Sequence, residues 1–217
     1  MSVRHIGLIG AMIVLLLLMI ISVHSGISYV AQYRVHSAID QWQEKGTTPA
    51  TDEWQALHDS VEEDGSNVDA VNALGRLYDF RSSSMSLNKN ERNRFGQLAA
   101  EQYLKVTRLR PAWPYGWMNL ALVKAQTGEI DEQFRHALLQ LLKLGAWEHN
   151  TLPEIIRLSL FAWPYLSLEE RKPLLDYYLV AQMQRKGDVH KALKGSDRLL
   201  VYCAIVNHAG SKASFCP

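Results

Sequence analysis

The sequence predicts an all-α protein, with one membrane-spanning helix at its N-terminus and a solenoid of helical hairpins after it. Three observations carry that expectation. Eighteen residues from Ile6 to Val23 run without a charge. The stretch from Leu98 to Trp147 contains three helical patterns separated by two short breaks. No alternation of apolar and polar residues is long enough for a sheet, which excludes an α/β nucleotide fold.

The first element, residues 1–33, is an anchor. Ile6–Val23 is apolar on every face, unlike a soluble amphipathic helix. At about 1.5 Å per residue it spans roughly 27 Å, close to the hydrocarbon thickness of a bilayer. A cleaved signal peptide is the alternative. Signal cores are usually shorter, and Val23-His24-Ser25 makes a poor cleavage site. Arg4 and the α-amino group precede the run, which favours a cytoplasmic N-terminus, while Arg34 follows it and weakens that bias. Tyr29 and Tyr33 fall where interfacial aromatics are expected.

Residues 34–65 form a neck and first helices. Val35, Ile39 and Trp42 sit at helical spacing and continue the anchor helix, until Lys45-Gly46-Thr47-Thr48-Pro49 breaks it. Asp52 to Glu63 is a short amphipathic helix with Trp54, Leu57 and Val61 inward and His58 outward. Thr51 or Asp52 can cap it.

Residues 66–147 form the repeat region. Asp69–Arg81 is its first helix. A polar loop at 82–94 follows, in which Lys89, Arg92 and Arg94 make a small basic cluster, read either as a solvated loop or as a partner contact. Ala99, Ala100, Tyr103, Leu104 and Val106 share a face of the next helix, which Pro111 ends. A further helix carries Trp117, Leu120, Ala121 and Val123 and stops at Thr127-Gly128. The last carries Ile130, Phe134, Ala137, Leu138, Leu141 and Leu142 and stops at Gly145. Acids at Glu129, Asp131 and Glu132 suit a helix N-terminus. Trp113, Tyr115 and Trp117 cluster around Pro111 and Pro114. They are read as packing between repeats, with a sugar-stacking platform as the alternative.

This region resembles the tetratricopeptide repeat, whose positions recur over about 34 residues. Pro111 fits the closing proline, Trp117 and Leu120 the early Trp and Leu, and Gly128 the turn. Ala99 and Tyr103 fit a second helix, and Leu74, Gly75 and Tyr78 the first. The match is imperfect. Tyr78 and Ala99 stand about twelve residues too far apart, and Ala121, Lys124 and Gln133 replace the usual Gly, Tyr and Ala. The expectation is one repeat interrupted by an insertion and one degenerate repeat.

Residues 148–217 form a C-terminal helical region. Pro153–Ala162 is a strongly apolar helix, Trp163-Pro164-Tyr165-Leu166 a turn, and Ser167…Glu170 a capping box that opens a helix from Glu169 to Arg185. That helix is expected to end at Lys186-Gly187, with a last helix over Ala192–Ile205. In a chain exported past an anchor, Cys203 and Cys216 suggest one disulfide that staples the tail. A metal site from Cys203, His208 and Cys216 is the competing reading, and two free cytosolic thiols a third.

The 217 residues are 47% hydrophobic and 21% charged, with a formal charge of +1, so no strong field recruits nucleic acid or an acidic substrate, and nucleic acid is not an expected partner. The chain holds no Gly-rich phosphate loop, no HExxH, no GxSxG and no paired-cysteine zinc pattern. No catalytic, cofactor or metal residue is therefore assigned. If the chain were glycan-active, Glu148, Glu154 and Glu169 would be the candidate carboxylates.

Three runs carry a more specific resemblance: Arg110-Pro111-Ala112-Trp113-Pro114-Tyr115, Leu144-Gly145-Ala146-Trp147-Glu148 and Ala162-Trp163-Pro164. With the anchor, the Leu168-Glu169-Glu170-Arg171 run and the two cysteines, residues 98–217 resemble the VpsP family of bacterial exopolysaccharide biosynthesis proteins. The resemblance implies an inner-membrane protein with a periplasmic domain. Its expected partners are components of a polysaccharide polymerisation and export machinery, the membrane, and polysaccharide itself. It supplies no catalytic residue. A membrane-tethered chaperone of exported proteins and a polysaccharide-binding or processing protein are the alternatives.

Overall fold

A computed structural model of the chain describes residues 3–62, 67–194 and 197–217; side chains are described from Met12 onward, without His24, Ile27 and Ser28. Among these residues the secondary structure is helical throughout, in ten α-helices and one 3-10 turn. The expected all-α class is what the chain adopts. The boundary expected at residues 65 and 66, and the side chain of Arg4, lie outside the described residues.

Helix α1, Val3–Lys45, runs unbroken for 43 residues, roughly 64 Å at 1.5 Å per residue. It changes character along its length. Met12–Ile21 and Val23 are 53–66% exposed, whereas Ala31, Val35, Ile39 and Trp42 form a buried stripe. Among the described residues no helix is long and apolar enough to cross a membrane; the described side chains of the expected span are those of Met12–Val23. The buried stripe packs on α2 (Thr51–Glu62) and α3 (Val68–Ser82). Trp42 meets Phe80 at 5.3 Å between ring centroids and donates to Glu53 at 3.3 Å. Arg76 of α3 reaches Asp40 at 3.3 Å and contacts His36.

In α2, Trp54, Leu57 and Val61 are buried as expected. His58 is not outward: it is 8% exposed. Positions 54, 57, 58 and 61 make one helical stripe, so the imidazole is carried inward with its neighbours. There it stacks on Trp54 at 5.0 Å between centroids.

Asn67 caps α3, its side chain accepting from Asp69 and Ala70. The expected loop at 82–94 is only half loop. Helix α4, Lys89–Leu109, begins inside it, because Asn88 and Glu91 form a capping box. Packing of α3 on α4 depends on Gly75, where a Cβ would lie 2.8 Å from the Tyr103 ring. Helix α5, Pro114–Thr127, opens on a proline and closes on Gly128 at φ 78°.

Helix α6, Glu132–Gly145, starts later than expected. Asp131 is its N-cap and accepts from the Phe134 N–H at 2.9 Å. Glu129 and Asp131 have a second role in holding the Lys124 ammonium, at 2.8 and 2.9 Å. Helices α1/α2, α3/α4 and α5/α6 are thus successive hairpins, each joined by a short connection and packed on its neighbour.

The C-terminal region has α7 (Leu152–Ala162), a 3-10 turn at Trp163–Tyr165, and α8 (Leu168–Gln184) behind the Ser167–Glu170 capping box. Two expectations fail here. Lys186 begins α9 (Lys186–Leu193) instead of ending α8, because Arg185 turns the corner and binds Asp188 at 2.7 Å. The helix expected over 192–205 is two helices, α9 and α10 (Arg198–His208), separated around Lys194 and Asp197. Tyr178 organises this half. It is fully buried, bonds the Ser159 hydroxyl, stacks on Trp163 and meets Tyr202 at 5.0 Å. The Cys203 and Cys216 sulfurs lie 1.98 Å apart, at disulfide distance.

Candidate docking surface

The aromatic group predicted around Pro111 divides in two. Trp113 is half-buried at the start of α5, with the Arg110 guanidinium 5.3 Å above its ring and Tyr115 5.8 Å away. Arg110 also forks onto Asp69 at 3.1 and 3.3 Å, tying the end of α4 to the start of α3. This half is a structural joint. Trp117 faces elsewhere. Its indole N–H donates to the Pro111 carbonyl at 2.8 Å, and its ring stands edge-on to His136 at 5.4 Å. It lines a groove of about 680 Å³ between α4 and α6. Leu104, Pro111 and Leu120 supply the apolar lining, and Arg108, Glu132 and Gln133 the polar.

The basic cluster also divides. Lys89 and Arg92, on one face of α4, line a hollow of about 550 Å³ with Ser82, Ser83, Gln126 and Thr127. Arg92 is partly spent on the Leu87 carbonyl at 3.3 Å. Arg94 is exposed and does not line that hollow.

The three carboxylates considered for glycan chemistry are spread over separate places. Glu154 pairs with Arg157 at 2.8 Å in the first turn of α7. Glu169 is exposed in the first turn of α8, and Glu148 in the turn before α7. The alternative metal trio is dismantled because Cys203 and Cys216 are paired. Among the described residues, one other group gathers donor atoms within 4.8 Å: His58, Asp59 and Glu62. Its geometry is that of two carboxylates beside one imidazole nitrogen, with Asp59 and Glu62 at 3.2 and 3.5 Å from Nδ1. The Asp59 carboxyl is held below its ordinary range, first by the hydrogen bond to His58 and then by that from Gln55.

One surface escaped the sequence reading. Between α8 and α10 lies a groove of about 520 Å³ lined by Trp163, Leu168, Leu175, Ala204 and Ile205, with Arg171, Lys172 and His208 at its polar edge. Leu168 is 81% exposed and Leu200 65%. The signal was present in RLLVYCAIVNH, which is apolar around its whole circumference. A helix of that kind is either buried on all sides or waiting for a partner.

The fold and these surfaces define the chain as an all-α protein of stacked helical hairpins with open grooves between helices. Compared with protein-family models and with curated proteins, the sequence matches none.

Proposed function

We propose that this chain is a single-pass inner-membrane protein whose helical domain stands in the periplasm. There it docks components of a bacterial exopolysaccharide polymerisation and export machinery, and it performs no bond-making chemistry itself. The observation that carries the reading is the continuity of α1. Its exposed apolar segment passes without a break into the stripe that packs on α2 and α3. A helix built this way fastens the first hairpin rigidly to whatever holds its N-terminal half. In this reading Ile6–Val23 crosses the bilayer, and α3/α4 and α5/α6 are tetratricopeptide-like repeats presenting side-chain grooves.

The polysaccharide setting is supported by the resemblance of residues 98–217 to the VpsP family. The cysteine pairing supports an oxidising compartment. Alkaline phosphatase fused after residue 45 is expected to be active in cells; an inactive, stably expressed fusion would refute the periplasmic placement. Crosslinking from membranes is expected to recover polysaccharide polymerase or export components, and recovery of exported client proteins instead would favour the chaperone reading.

The Trp117 groove favours one second reading, direct contact with the polymer. An indole face flanked by Arg108, Glu132 and Gln133 suits a pyranose ring, which stacks its apolar face and hydrogen-bonds at its rim. Quenching of Trp117 fluorescence by purified polymer, lost in Trp117→Phe, is the expected result.

A further inference from the structure

Helices α8 and α10 each turn an unpaired stripe toward the groove between them. On α8 the stripe is Leu168, Arg171, Lys172 and Leu175, at spacing i, i+3, i+4, i+7. On α10 the exposed face runs through Leu200, Val201, Ala204, Ile205 and His208, of which Ala204, Ile205 and His208 line the groove. Each stripe covers about two helical turns, roughly 11–12 Å. In a solenoid the terminal unit needs a polar outer face to meet water. Helix α10 lacks one where Leu200 and Val201 are exposed, and Leu168 of α8 is exposed at the groove it lines with Ala204 and Ile205.

The rim has a consistent sign. Among the described residues, Arg171 and Lys172 are the charged residues lining the groove, with the His208 imidazole beside them, and no carboxylate lines it. Arg171 is oriented by its contact with Trp163, whose carbonyl accepts from Nε at 3.1 Å and whose ring lies 5.5 Å below the guanidinium. Lys172 pairs with Asp176 at 3.3 Å, both largely exposed, a pair worth little in water. The groove is also held in place. Cys203 on α10 is paired to Cys216, and Tyr202 donates to the Tyr178 carbonyl of α8 at 3.2 Å.

We propose that this groove is a helix-docking site, and that its occupant is an amphipathic α-helix of a partner protein whose apolar ridge is flanked by Asp or Glu. The apolar floor selects a ridge at spacing i, i+3/i+4, i+7, as in other helix-in-groove recognition. Arg171 and Lys172 select acidic flanks and disfavour basic ones. A two-turn footprint needs only a short helical segment. The assignment stands on α8 and α10 and not on the polysaccharide reading. A mapped partner helix from some other assembly would uphold the groove while overturning that setting.

The test uses the full chain in its native membrane. A benzophenone amino acid replaces Ala204, and irradiated adducts are mapped by mass spectrometry to the contacted segment. The same probe at Lys143, exposed on α6, is the control. The expected adduct is specific to position 204 and maps to a helical segment of a second protein with acidic flanks. Leu168→Asp and Lys172→Glu should each reduce it about tenfold; both positions are exposed, so the fold is retained. Any of four results overturns the proposal: adducts to lipid, adducts to a second copy of this chain, a mapped segment that is basic or non-helical, or capture unchanged by both variants.

Discussion

The imidazole of His58 meets the hydroxyl of Tyr78 at 2.8 Å, joining α2 to α3 through a buried hydrogen bond. The ring's other nitrogen faces Asp59, so a residue expected at the surface becomes the link between two hairpins. Burial is the leading cause that pushes the Tyr78 hydroxyl above its ordinary pKa, followed by the nearby charges of Glu62 and Glu101. Tyr78→Phe removes one hydroxyl and leaves a buried imidazole nitrogen unpaired. The expected cost is about 1–3 kcal/mol, read as a lower denaturant midpoint with unchanged slope. An unchanged midpoint would show that the contact contributes nothing.

Gly75 and Tyr103 set how closely α3 and α4 approach. A methyl at position 75 would sit 2.8 Å from a ring that is itself fully buried and cannot retreat. Gly75→Ala gains about 1 kcal/mol in helix propensity but overpacks the interface, at about 1–3 kcal/mol. The net expectation is destabilisation. Gly187→Ala, with nothing within 4 Å of the added methyl, is the control and should be neutral or slightly stabilising. Equal melting shifts for the two variants would contradict the packing argument.

Much of the fold was legible because it rests on local rules. The Ser167–Glu170 capping box, the Gly128 stop and the stripes in α1 and α2 follow from spacing and residue type, while the cysteine pairing is expected from an exported context. Where the reading failed, a short-range signal was overridden by one nearby. Asn88…Glu91 caps a helix inside a stretch whose serines suggested only loop. Arg185 with Asp188 restarts a helix at Lys186-Gly187, a pair that reads as a stop. His58 belongs at the surface by residue type, but its place beside Trp54, Leu57 and Val61 carries it inward. The α8/α10 groove required tertiary information, because only the packing shows which face of an all-apolar helix stays open.

Asp79 gives stability a pH dependence of defined sign. Burial raises its carboxyl to about 6 from an ordinary value near 3.8, and the Arg76 charge and hydrogen bonds from Ser82 and Tyr103 only partly oppose this. The folded chain therefore binds more protons than the unfolded chain between about pH 4 and 6, and this group's contribution falls as pH rises through that window. His36 and Asp40 of α1 and Arg76 of α3 share the neighbourhood, so the comparison must be differential. Asp79→Asn should remove part of the loss seen between pH 4 and 7. A wild-type and variant difference that stays constant across that range would contradict the assignment.

Lys124 shows how a buried charge is tolerated in α5. Its side chain is 5% exposed. Burial acts to depress its pKa, yet the hydrogen bonds and charges of Glu129 and Asp131 outweigh burial and leave it raised. The two carboxylates are far more exposed, so the consequences of deletion are unequal. Lys124→Met returns them to water and should be within about 1 kcal/mol of wild type, or stabilising. The double variant Glu129→Gln, Asp131→Asn keeps the α6 cap acceptor and strands the ammonium, so it should cost about 3–5 kcal/mol. The reverse order of the two midpoints would refute this account.

Cys203 and Cys216 close a loop with a sequence separation of 13. A crosslink of that span stabilises by about 3 kcal/mol, chiefly by restricting the unfolded chain. Its position makes the effect local as well as global. Ala213 and Cys216 are buried, and Phe215 stacks on His190 of α9, so the tail closes over α9 and α10. Cutting the link should release the segment after His208 before the rest of the chain unfolds, because the side-chain ties left to it are the Gln182–Ser211 hydrogen bond and the contacts of the Phe215 ring with His190 and Tyr202. Protein taken from its native compartment and unfolded without reductant is expected to resist maleimide, and to accept two labels after reduction. The Cys203→Ser, Cys216→Ser variant should lose about 3 kcal/mol and expose residues after His208 to proteolysis while α3–α6 stay protected. Two labels before reduction would place the domain in a reducing compartment and remove the disulfide from the native protein.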